Sequence, residues 1–161
     1  MFIYSVRAST VKLCAFIILA VVLTVGVIAF SDADTVLASG NGDINYSGIE
    51  TNEDRLRFIT GFGIRVEEHP LEEHTFTVPE NFDLVINGYN QLQKMQGLDL
   101  ERYAKKKVTR YTYTVTNYDC EGTVFANLFV YRGKIIACDI SGGEADGFVI
   151  PLTRVDPAKL R

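Results

Sequence analysis

No acidic residue precedes Asp32, no charge interrupts Leu13–Phe30, and only two histidines and three cysteines occur in 161 residues. Each shortage excludes something. Cys14 lies inside the apolar run as a small hydrophobe, which leaves only Cys120 and Cys138. Two cysteines cannot staple a disulfide scaffold, and no C-x-x-C or Cys/His spacing suits zinc. No Ser/His/Asp or Cys/His set can be assembled, there is no P-loop, and no cofactor is expected. The first thirty residues carry only Arg7 and Lys12. The remainder holds 14 basic against 20 acidic residues, a balance of −6. A nucleic-acid binder would show a dominant basic face, so no nucleic-acid partner is expected.

The uncharged run LCAFIILAVVLTVGVIAF is 18 residues long (13–30). At 1.5 Å per residue, about 18–20 residues cross a ~30 Å hydrocarbon core. Arg7 and Lys12 flank one side, Asp32 and Asp34 the other, and the basic flank stays in the cytoplasm. Residues 1–12 therefore read as a cytoplasmic tail and 13–30 as a transmembrane helix anchoring the chain in the cell membrane. The rival reading is a cleaved secretory signal, for which 31–33 and 36–38 offer small-x-small sites. Either fate exports the rest of the chain. Residues 31–50, rich in Ser, Gly, Asp and Asn, read as a flexible linker.

Residues 51–150 read as one α+β domain and 151–161 as a tail. Thr51-Asn52-Glu53-Asp54 starts a helix that ends at Gly61 and Gly63. Strands are expected at 64–67 and 75–78. Pro79 is expected to open a second helix with the apolar stripe Phe82, Val85, Ile86, Tyr89 and Leu92, stopped by Gly97. The last third reads as a three-stranded antiparallel meander at 108–117, 123–131 and 134–141, with Arg132-Gly133 as a tight turn. Pairing Tyr131 with Lys134 places Phe125, Phe129, Ile136 and Ile140 on one face. Tyr111 and Tyr113 are expected to join that face and the second helix to pack on it.

The stretches YSVRAS, TNEDRLRFITGFG, VPENFD leading to GYNQLQKMQGLDL, KKVTRYTYTVTNY and ANLFVYRGKIIACDI resemble the domain-of-unknown-function family 4830. That family consists of small membrane-anchored proteins from clostridial-type Gram-positive bacteria. The resemblance spans Tyr4 to Phe148 and implies one exported domain on a single-pass anchor. It implies no activity, cofactor or catalytic residue.

Three groups stand out as candidate sites. His69, Glu72 and His74, within the acidic and histidine-rich cluster 67–74, could hold a divalent ion or serve a membrane-tethered hydrolase. A solvated turn explains the cluster as well, because Pro70 breaks any fixed spacing. Arg102, Lys105, Lys106, Lys107 and Arg110 beside Tyr111 form a basic patch suited to an anionic surface component, or an edge strand defended by lysines. Cys120, in the first meander turn, and Cys138, near the end of the third strand, are placed roughly 10 Å apart. A disulfide needs Cα atoms within ~7 Å, so a bridge requires the turn to fold over or the strand order to differ. The expectation is a non-enzymatic exported domain that binds an envelope protein or anionic component. The alternative is the tethered enzyme, and a third reading is a signalling input domain acting through another protein.

Overall fold

The computed structural model describes residues 44–144 and 147–161. The expected transmembrane helix, Cys14 and the linker to residue 43 lie outside the described residues. Among the described residues, no helix is long and apolar enough to cross a membrane.

Helix α1 (Asn52–Thr60) forms where the sequence predicts it. The Thr51 side chain accepts from Asp54 N–H while the Asp54 carboxylate accepts from Thr51 N–H, a complete capping box. Strand β1 (Glu72–Thr77) begins three residues earlier than expected. Arg110 of the neighbouring strand donates to Glu72 at 2.7 Å, and Thr75 and Thr109 share a hydroxyl contact at 3.0 Å. These cross-strand pairs draw part of the acidic cluster into the sheet. Helix α2 (Leu84–Lys94) starts after Asp83, not at Pro79, because the Asp83 carboxylate caps Ile86 N–H. The predicted strand at 64–67 is a single bridge between Val66 and Val115.

The meander is present as β2 (Lys107–Thr114), β3 (Val124–Tyr131) and β4 (Lys134–Gly142). With β1 and the short β5 (Val149–Pro151) it makes one antiparallel sheet in the order β1-β2-β3-β4-β5. Arg132 and Gly133 both have positive φ, as a two-residue hairpin turn demands. Tyr131 pairs with Lys134 as expected, but the register shifts between Phe129 and Val130. One extra residue on β4 moves Phe129 opposite Ala137 and Phe125 opposite Ser141. A one-residue slip sends side chains to the other face, so Ile140 leaves Phe125 and Phe129 and lies opposite Ala126.

The two faces therefore differ from the expected grouping. One carries Tyr111, Tyr113, Ala126, Leu128, Cys138 and Ile140 and packs with Phe58, Ile59, Ile64 and Leu152 in the larger core. The other carries Arg110, Thr112, Asn127, Phe129 and Asp139, and only part of it is covered, through Val78, Phe82, Tyr89, Leu100 and Tyr103. The tyrosines of β2 thus sit opposite to Phe125 and Phe129.

The packed body extends past 51–150 on both sides. Ile49 is buried, Ile44 and Tyr46 pack on the core, and Leu152 is fully buried. The outer edge of β4 is closed in pieces. Strand β5 covers Asp139–Ser141; Cys138 N–H donates to Gln93 Oε1 at 2.9 Å, and Gln96 Nε2 donates to Cys138 O at 2.6 Å. Ile135 N–H donates to Tyr46 O, and Ser47 bridges Lys134. Two amide side chains of the α2 segment thus stand in for a missing strand. This explains why Gln93 and Gln96 are buried there, with Asn90 buried by its bonds to Asp99 and to the Leu100 N–H, while Val85 of the predicted apolar stripe is 77 % exposed.

Candidate functional site

The exposed end of α2 and the incompletely covered sheet face bound a groove of about 300 Å³. Phe76 of β1 and Phe129 of β3 form its sheet side, and Phe82, Val85, Ile86 and Tyr89 its helix side. Val78 and Leu100, both buried, lie beneath. Phe76 meets Phe129 edge-on at 5.8 Å between ring centroids, and Tyr89 tilts against Phe129 at the same distance. Leu84, which precedes Val85 as the first residue of α2, is 88 % exposed. The stripe of α2 is thus real but serves the groove as much as the core.

A polar network continues from the groove across the same sheet face. Tyr89 O–H donates to Asp139 Oδ2 at 2.6 Å. Asn127 Nδ2 donates to Asp139 Oδ1 at 2.8 Å and to Ser141 Oγ at 3.0 Å, and Thr112 Oγ1 donates to Asn127 Oδ1 at 2.9 Å. Burial pushes the Asp139 carboxyl above the ordinary carboxylate range, against the opposing pull of the Tyr89 and Asn127 hydrogen bonds and the Arg110 charge. Tyr89 is raised as well, by burial and then by Asp139. Each Asp139 oxygen accepts a bond, one from Tyr89 and one from Asn127, so the group anchors Tyr89 in the groove wall. Arg110 lies opposite Phe129 and between these elements. Its Nη2 holds Glu72, and its buried Nε has no acceptor among the described residues.

A second polar cluster lies on the covered face. Arg55 is buried; its Nε donates to Tyr113 Oη at 2.8 Å, its guanidinium sits 3.8 Å from the Tyr111 ring centroid, and Tyr113 O–H donates to Asn52. It ties α1 to β2 and is structural.

The residues singled out from the sequence are dispersed. His69, Glu72 and His74 are exposed. Among the described residues no three His, Cys, Asp or Glu side chains are placed to hold a metal. His74 stacks on Phe76, and Glu72 is taken by Arg110. The basic patch is also divided. Arg102 pairs with Asp99, Lys105 with Glu80 at 2.6 Å, and Arg110 with Glu72. Tyr111 points to the face opposite Arg110, and the strand that carries them is not an edge, because β1 covers it. Cys120 is exposed near the β2–β3 turn, while Cys138 is buried opposite Leu128; both are free. Burial pushes the Cys138 thiol well up, which leaves it unreactive.

The network around Asp139 went unnoticed in the sequence, although a signal was there. KIIACDISG places one acid in the middle of an otherwise apolar strand, and a buried acid there demands partners. Gln93 and Gln96 had a signal too, since amides at 90, 93 and 96 recur at helical spacing.

A family model described as "Domain of unknown function (DUF4830)" matches residues 58–140, just over half of the chain, and the chain belongs to that family. The match runs from the end of α1 to Ile140 of β4 and covers the whole groove. No curated protein and no solved structure matches.

Proposed function

Starting from membership of a family without an assigned activity, we propose that this chain is a single-pass, membrane-anchored protein. It displays a non-catalytic binding domain outside the cytoplasm, and its partner is an envelope protein that seats an apolar side chain in the groove. The observation that carries the reading is the groove itself. An aromatic-lined apolar trough is kept open beside fully buried neighbours, next to the 88 % exposed Leu84 and with Val85 at 77 % on its wall. Contiguous exposed apolar surface of this kind marks interaction sites. The location rests on the uncharged run 13–30 and its flanking charges. The groove is preferred over an anionic component because Arg102, Lys105 and Arg110 of the basic patch are each engaged by a local acid.

Two measurements test this. A photo-crosslinking residue at position 85, in the full chain in its native membrane, captures one reproducible envelope protein. Absence of any reproducible adduct overturns the binding reading. For location, exposed Cys120 reacts with a membrane-impermeant maleimide on intact cells. Labelling only after permeabilisation would place the domain inside.

A further inference from the structure

The two edges of the sheet are finished in opposite ways. The β4 edge is closed by β5, by the amides of Gln93 and Gln96, and by Tyr46 and Ser47. The outer edge of β1 pairs with no strand among the described residues, and five of its six residues are exposed. A bare edge is a template for another strand. This one is charged unevenly along its length. Glu72 and Glu73 stand at its start, while Lys107 lies opposite Thr77 and Lys106 bonds Val78 at its end. Glu73, Lys106 and Lys107 are exposed, and none of them makes an ion pair among the described residues. An antiparallel copy of the same strand brings acidic start to basic end twice over, the self-complementarity that a two-fold interface requires.

We propose that two copies of this chain associate antiparallel through β1, with the two-fold axis at Thr75, and join two five-stranded sheets into one of ten strands. Opposed residues in an antiparallel ladder point to the same face. Centring on Thr75 sets Thr75 against Thr75, His74 against Phe76, and Glu73 against Thr77 of the other copy. Lys107 is the lateral neighbour of Thr77. Glu73 and the other copy's Lys107 thus share a face two strand spacings apart, each about 4.8 Å, within reach of their side chains. Centring on His74 instead would set Glu73 against Thr75 and draw the acid away from Lys107. Phe76 lines the groove, so the axis, normal to the sheet, brings both grooves side by side on one face. The association needs no groove ligand and stands apart from the binding reading.

The test uses the full chain in its membrane with Cys14→Ser and Cys120→Ser. Under mild oxidation Thr75→Cys gives a disulfide-linked dimer, since opposed residues of an antiparallel pair lie within about 5.5 Å. Glu53→Cys on α1 gives none. Glu73→Lys lowers the Thr75→Cys yield about three- to tenfold, as loss of two symmetry-related cross-strand charge contacts implies. Adding Lys107→Glu restores it. Val85→Asp, which alters only the groove, leaves the dimer intact. Light scattering of the unsubstituted chain in detergent gives the mass of two chains. A monomer by scattering, a Thr75→Cys chain that reacts with maleimide but does not crosslink, failure of Lys107→Glu to restore, or loss of the dimer in Val85→Asp each overturns the proposal.

Discussion

The two faces of the sheet are built to different standards of closure. On one, Leu128, Cys138, Ile140 and Tyr113 are fully buried beneath Phe58 and Ile59. On the other, the buried apolar residues are the smaller cluster Val78, Leu100, Val108, Ile136 and Ala137, and the aromatic residues around them stay partly exposed. The polar group that ties down each face also differs. Tyr113 on the closed face accepts from Arg55 of α1, a helix that already covers it. Asp139 and Tyr89 on the other fasten one wall of a groove. The closed face holds the larger buried core, and the open one leaves aromatic surface uncovered.

Adjacent residues of β3 offer the sharpest way to break that comparison. Leu128→Ala removes a fully buried side chain from the closed face and should cost about 2–5 kcal/mol. Phe129→Ala, one residue on, removes a larger side chain from the open face but should cost no more than about 2 kcal/mol, since part of its ring is already in solvent. Urea unfolding with unchanged m-values reads both. Equal losses would mean that the two faces carry the fold alike. Next in size is Gln93→Ala, which strands the Cys138 N–H at the sheet edge and should cost about 1–3 kcal/mol. Faster hydrogen exchange at the Cys138 amide would localise the loss.

The pH dependence separates the faces by sign. Folding raises the Asp139 pKa, so the folded state holds that proton more tightly than the unfolded chain. Its contribution is therefore favourable below the unfolded value near 3.9 and is lost as pH rises through the raised folded value. Asp54, lowered by its bonds to the Thr51 backbone and side chain, runs the other way. Its contribution is present above the unfolded value and is lost as pH falls through the lowered one. Asp139→Asn should remove the declining component and leave the rising one. The gap between wild type and variant should thus shift in favour of the variant as pH increases above about 4. A pH-independent gap would show that Asp139 is solvated as an ordinary surface acid.

Much of the closed face was legible. Thr51-Asn52-Glu53-Asp54 announced the start of α1, and the alternation of Tyr111, Tyr113 and Val115 correctly opposed Arg110, Thr112 and Thr114. What escaped was whatever depended on a single insertion or on polar burial. The bulge at Phe129/Val130 moves Ile140 across the sheet, yet nothing in the alternation of β4 marks it, because Ile135 to Ile140 are buried on both faces. The inward side of α2 was misread because its core contacts are amides, and a count of apolar positions rewards the stripe that ends up lining the groove.

The smallest expected change in stability is also the most informative. Val85 lies in the first turn of α2, is 77 % exposed, and shares that turn with no acidic residue. A carboxylate there is favoured by the helix dipole by about 0.3–1 kcal/mol, which offsets the few tenths lost through poorer helix propensity and apolar contact. Val85→Asp should therefore leave the urea midpoint within about 0.5 kcal/mol of wild type. The same charge on the wall of an apolar groove must be desolvated by any apolar partner that enters, which costs far more than the helix gains. Capture of the envelope partner, read with a crosslinker at the groove residue Ile86, should then fall at least tenfold while the fold is untouched. If Val85→Asp unfolds the domain, the wall is part of the core and the distinction between the two faces fails. If it binds as wild type does, the partner sits elsewhere.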